Sequence, residues 1–228
     1  MALMPKIKQL LQRTTTASTV GRRRETPHPA KNVIQEDALR AMLAEDPNNE
    51  HAFLALVDVV GRNCAQDPTD DVDPRTAEID LTDSAAREEK YTMSLWALAE
   101  EYAGHPKAWY PLIQLAHLSL PDNPEDANRR LTAAVSRDET GAALAAALRL
   151  LRDNDLAAEA YLLGVGHWIA RQHVPEAGIE VVRASLEAGK HAEAQRYLEE
   201  LLDHVSAADV AAYDPTLSAD VQSRLARS

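Results

Sequence analysis

Asp67, Asp70, Asp71, Asp73 and Glu78 crowd one stretch of the chain, and clustered carboxylates are the donor set that a hard divalent cation requires. Counted from Asp67, Asp71 and Glu78 fall at the fifth and twelfth positions of a calcium loop. The sixth position of such a loop needs Gly for its sharp turn, and here it is Val72; Pro74 removes a backbone N–H shortly after. The spacing therefore points to a self-repelling, solvated acidic loop over residues 63–83, or to one that folds back on the basic N-terminus, and not to a metal site. The eight histidines contain no HExxH pair and no two at i, i+4, and Cys64 has no second cysteine to share a metal or a disulfide. No GxSxG, GxGxxG or Gly-rich phosphate loop occurs. Gly164 and Gly166 sit within a helical period, where glycine marks close helix packing or a kink. The sequence predicts no catalytic residue and no cofactor, and the chain reads as a non-enzyme.

A second chemistry belongs to the N-terminus. Residues 1–31 carry seven cations against Glu25 alone, a balance of +6, which leaves −18 on the remainder for a total of −12. Lys6, Lys8, Arg13, Arg22, Arg23 and Arg24 are suited to phosphate contacts on nucleic acid or a ribosome. Ile7, Leu10 and Leu11 form a short apolar turn among them that would dip only marginally into an anionic lipid surface. The threonine-rich run at 14–19, beside these cations, suits phosphorylation that would cancel the charge. So little apolar surface predicts a flexible arm over 1–31.

The elements that must position any site are helices. Aromatic residues are only 4% of the chain while alanine is abundant, a balance that suits helix-on-helix packing and not a β-sandwich. No apolar run reaches the length of a membrane span, and no secretory h-region precedes the body, so the expected location is a reducing compartment, the cytoplasm.

Along the chain, Val33, Ile34, Ala38, Met42 and Leu43 line one helical face before the stop Asp46-Pro47-Asn48-Asn49. The next helix turns Phe53, Leu56, Val57 and Val60 inward. After the acidic loop the period returns near Ser84 with Tyr91, Leu95, Leu98, Ala99 and Tyr102, and stops at Gly104-His105-Pro106. Three helical pairs follow: from Trp109 to Val135, from Ala143 to Trp168, and from 175 to 204. In the last, Ala194, Tyr197, Leu198, Leu201 and Leu202 recur at i, i+3, i+4, i+7, i+8. Ser206 to Asp209 has capping-box-like spacing, which predicts a C-terminal helical extension or tail over 206–228.

The stretch VVRASLEAGKHAEAQRYLEELL at 181–202, and AMLAEDPNNEHAFLAL at 41–56, resemble tetratricopeptide repeats. In the latter, Pro47 follows the outgoing helix and Phe53 stands where the family places an aromatic. Residues 108–137 share the pattern and 140–170 share it weakly. The first-helix glycine of the family is replaced here by Val57, Ile113 and Val182, and the spacers vary. The resemblance implies an all-α, irregular solenoid of about four antiparallel hairpins over 32–205; a helical bundle of similar hairpins fits the same residues. It further implies an adaptor or scaffold that binds a partner peptide or helix on a concave face of first helices. Phe53, Trp96, Trp109, Tyr110 and Val182 are the expected partner contacts. The acidic body favours a basic partner. The competing expectation is an RNA- or ribosome-associated factor that uses the arm.

Overall fold

Prolines and short polar caps divide the chain into helices. The computed structural model describes residues 29–65 and 81–226, which form eleven helices and no strand. The basic candidates Lys6, Lys8, Arg13, Arg22, Arg23 and Arg24, and the acidic cluster from Asp67 to Glu78, lie outside the described residues. Helix extends further than expected on both sides of the acidic loop, through Ala65 and from Leu81, and begins before residue 32, at Pro29. The chain divides into two compact units, Met1–His105 and Pro106–Ser228.

In the first unit α1 (Pro29–Glu45) packs on α2 (Glu50–Ala65), which packs on α3 (Leu81–Ala103). Asn49 caps α2: its Oδ1 accepts the Ala52 N–H at 3.0 Å, satisfying one of the donors that a helix start leaves open. Phe53, Leu56, Val57 and Val59 are buried along α2, and Leu95, Leu98 and Ala99 along α3. The Phe53 ring meets Tyr102 edge-on, with centroids 6.4 Å apart. Arg40 of α1 bonds Glu36 at 3.0 Å and reaches Glu101 of α3 at 2.8 Å. One face of α1 departs from expectation: Leu43 is buried, but Val33, Ile34 and Met42 are exposed. A helix with one main neighbour, α2, buries only a narrow stripe.

The second unit is built of hairpins. In it α4 (Tyr110–Ser119) pairs with α5 (Pro124–Ser136), α6 (Ala142–Asp153) with α7 (Ala157–His167), and α8 (Pro175–Glu187) with α9 (His191–Leu202). Asn123 caps α5 through the Asp126 N–H at 3.0 Å, with Pro124 at the first helical position, where its missing N–H costs nothing. The α8–α9 turn closes on Gly189, at φ +74°. There the Gly189 N–H bonds the Leu186 carbonyl and the Lys190 N–H bonds that of Ser185, the Schellman arrangement that demands a left-handed residue.

Successive hairpins also pack on one another. Each second helix meets the next first helix (α5 on α6, α7 on α8), and first helices meet in turn, α4 on α6 and α6 on α8. Small residues permit this approach: Ala127, Ala134, Ala143, Ala147, Ala160, Ala177 and Ala184 are all completely buried. Gly164 marks a tight crossing, where an added Cβ would stand 2.9 Å from Val181 Cγ2 of α8 and 3.4 Å from Leu148 Cδ1 of α6. Trp168, read as part of α7, lies instead in extended backbone beyond its end. Its indole packs over Gly178 and meets Tyr197 edge-on at 5.6 Å. Two short helices, α10 (Ala207–Tyr213) and α11 (Leu217–Leu225), close the unit. Ser206 caps α10 as its spacing predicts, its Oγ accepting the Asp209 N–H at 3.1 Å. Val210, Leu217 and Val221 are buried.

Because Gly164 is filled from the α8 side, Gly164→Ala forces Val181 or the helix itself to move. Its unfolding free energy should fall by ~1–3 kcal/mol, despite alanine's better helix propensity, as measured by urea denaturation.

Candidate functional site

Charged side chains meet along the seam between the first helices α6 and α8. Arg149 and Arg152 stand one turn apart on α6, and Glu180, Arg183 and Glu187 recur at i, i+3, i+7 on α8, so each set shares a face. Glu180 is 6% exposed, a burial that a carboxylate tolerates only with strong partners. It has two: Arg149 Nε donates to Oε1 at 3.0 Å, and Arg152 Nη1 donates to Oε2. Arg152 continues the network by gripping Glu187 with two parallel bonds, Nε to Oε2 at 2.9 Å and Nη2 to Oε1 at 2.6 Å. Burial disfavours the Arg152 charge, but its bonds to Glu187 and the fields of both carboxylates outweigh that and raise its pKa.

Arg183 reaches the other way, to the C-terminal pair of helices. Its Nε and Nη2 hold both oxygens of Asp214, its Nη1 bonds Asp220 at 2.6 Å, and its Nη2 bonds the Thr216 hydroxyl at 2.7 Å. The bond to Asp214 above all raises the Arg183 pKa, with burial opposing. The same bond draws Asp214 below the usual carboxylate range. Asp220 is lowered for the same reason.

Between the two networks lies a cleft of about 110 Å³, floored by Ile179 and walled by Arg149, Arg152, Glu176, Glu180, Arg183, Tyr213 and Asp214. Tyr213, 59% exposed, forms its rim beside Glu176, whose carboxylate pushes the phenol pKa up. Arg149 is the accessible cation: its side chain is 60% exposed and bonded through Nε, leaving both Nη groups toward solvent. Asp214 is held ionised by Arg183, which suits charge recognition and makes it a poor proton donor.

The residues singled out from sequence fall elsewhere. Phe53 and Val182 are completely buried and present no atom to a partner: the first is core of the α1–α3 unit, the second of the hairpin unit. Tyr110 is 6% exposed, its ring edge-on to Trp109 at 6.0 Å. Helical spacing placed these three where side chains make a core, and packing claims them. Trp96 and Trp109 are half-buried, so each keeps part of its indole at a surface; Trp109 immediately precedes α4. The histidines serve local roles: His167 Nδ1 lies 3.0 Å from the Leu163 carbonyl, and His173 packs beneath Gly141. Among the described residues no group of three His, Cys, Asp or Glu is placed to hold a metal ion, and no helix is long and apolar enough to cross a membrane.

The fold and the cleft together define an all-α chain of packed helical hairpins with an ion-paired groove. Compared with known proteins, the chain matches no family model, no curated protein and no solved structure.

Two predictions follow from the ion pairs. Glu180→Ala removes the carboxylate shared by Arg149 and Arg152, leaves Arg152 with Glu187 alone in a half-buried seam and should cost ~1–3 kcal/mol, whereas Arg149→Ala, at an exposed site, should cost below ~1 kcal/mol; urea unfolding of both variants measures the contrast. Asp214 has a lowered folded pKa, so its contribution is complete above the unfolded aspartate value near 4 and is lost as pH falls through the folded value. The wild-type urea midpoint should therefore drop as the pH falls below about 4, and Arg183→Met should shrink that drop.

Proposed function

We propose that this chain is a non-catalytic interaction module, an adaptor or scaffold of tetratricopeptide-like hairpins that binds a peptide or helix of a partner. The supporting observation is the row of first helices: α4 packs on α6 and α6 on α8, and the row carries an open cleft with Arg149 and Tyr213 at its edge. Side-by-side helices with one accessible face suit an elongated ligand better than a small enclosed one.

Basic segments are the favoured partners. The chain beyond residue 31 carries −18, and an acidic field speeds encounter with Lys- and Arg-bearing ligands. Glu176 and Glu187 would receive their cations, while Arg149 would take a carboxylate or backbone carbonyl and set register. Trp109, half-buried before α4, supplies an apolar contact at the other end of the row.

The second reading keeps its own support in the sequence. Arg22, Arg23 and Arg24, with Lys6, Lys8 and Arg13, form the one strongly basic stretch of an acidic chain, and a phosphate polyanion is its natural ligand.

Affinity capture with the full chain separates the two. If Arg149→Glu with Glu176→Lys loses a protein partner that the wild type retains, while the triple change of Arg22, Arg23 and Arg24 to Gln keeps it, the groove is the binding surface. Ribosome or RNA co-sedimentation that falls with salt and disappears in the triple-Gln variant would instead assign function to the arm.

A further inference from the structure

Helix α7 is apolar on both its sides. Its inner side, Ala160 and Gly164, is buried against α6 and α8. Its outer side presents Ala158, Leu162, Val165 and Gly166, all exposed, with Leu162 at 69% and Val165 at 45%. Ile169, just past the helix end, is exposed as well. A helix that is hydrophobic all round is normally covered on all sides. The outward positions of its counterparts are more polar: Asn128, Arg129, Thr132 and Ser136 on α5, and Arg196 and Glu199 on α9, where Ala192 and Leu202 are exposed beside them.

Gly166 adds a second anomaly. Gly164 is explained by Val181 and Leu148, but a Cβ on Gly166 would meet nothing within 4 Å, and its φ is not positive. Glycine there, in the last turn of a helix that ends at His167, is a poorer helix former than alanine and finds no packing return inside the chain. The return that glycine gives on an exposed helix face is close approach by another helix.

We propose that the outer face of α7 binds the same face of a second copy, the two helices antiparallel about a two-fold axis. The face is self-complementary. Leu162 and Gly166 are one turn apart, so an axis passing midway between them, near residue 164, seats Leu162 of each copy over Gly166 of the other. The charges agree with that direction: Asp155 and Glu159 are exposed at the N-terminal end of the stripe and Arg171 at its C-terminal end. Antiparallel pairing brings Glu159 of one copy within reach of Arg171 of the other at both ends, whereas parallel pairing would set like charges together. The proposed contact uses one helix per copy. A contact of one helix per copy is small beside the ~1,200 Å² of stable interfaces, so the dimer is reversible and concentration-dependent.

Sedimentation velocity of the full chain from about 1 to 200 µM tests this, and should show monomer giving way to dimer across that range. Leu162→Glu and Gly166→Leu, both at exposed positions, should each raise the dissociation constant at least ~10-fold with the circular dichroism unchanged. Gly166→Ala should weaken the dimer while raising the melting temperature of the monomer. Glu159→Arg should weaken it, and adding Arg171→Glu should restore it. A chain that stays monomeric at every concentration overturns the proposal, as does a dimer indifferent to Leu162→Glu and Gly166→Leu. Capture of a different protein on this stripe by a chain that remains monomeric overturns it equally.

Discussion

Close helix approach through alanine and glycine is the constraint on which the hairpin unit rests. With few aromatic rings to fill space, the core gains its dispersion energy by bringing backbones together, and that works only where side chains are small. Gly164 against Val181 shows the limit of this strategy, as does Gly178, which lies beneath both Leu201 and the Trp168 indole. Such a core has little tolerance for added volume. It also explains why one large side chain, Trp168, sits outside the helical register. The rigid indole finds room only where α7 has ended and a glycine of α8 opens a shelf.

Close packing of this kind leaves no slack for an unpartnered charge, so the ion pairs must be geometrically complete. Glu180 sits in a seam between two first helices, where one arginine would neutralise it but two satisfy both oxygens. Desolvation of such a group is repaid mainly as specificity: α6 can lie on α8 in only one register if Arg149 and Arg152 are both to reach it. Arg183 applies the same logic at the end of the array, fixing α10 and α11 against α8. The ion pairs therefore decide how neighbouring helices are aligned, while the apolar stripe decides that they pack at all.

The helix boundaries at Pro124, the Gly189 turn and the Ser206 cap were readable in the sequence because each signal acts within a few residues of itself. The stripes of α2, α4, α5 and α9 were readable too, since each faces a core over most of its length; at the end of α9 the expected Leu202 is exposed. The misjudged positions are those whose fate depends on a neighbour. Val33, Ile34 and Met42 lie on an apolar face that one partner helix cannot cover, and Phe53, Tyr110 and Val182 look like a binding face until the helices that bury them are in place. The cleft was invisible for a related reason, since Arg149 and Glu180, or Arg183 and Asp214, are some thirty residues apart. A signal did exist in the i, i+3, i+7 spacing of Glu180, Arg183 and Glu187, which places three charges on one face of an otherwise apolar helix.

The clasp of Arg183 on Asp214 and Asp220 reaches beyond the C-terminus into the cleft. Helices α10 and α11 are short, contribute few apolar side chains, and depend on this charged junction. With the buried Val210, Leu217 and Val221, the clasp holds this C-terminal unit against α8 and α9. Tyr213 and Asp214 are walls of the cleft and travel with that unit. Two walls of the cleft thus hang on a junction outside the three hairpins, so a change that weakens the clasp reshapes the groove as well as the C-terminus.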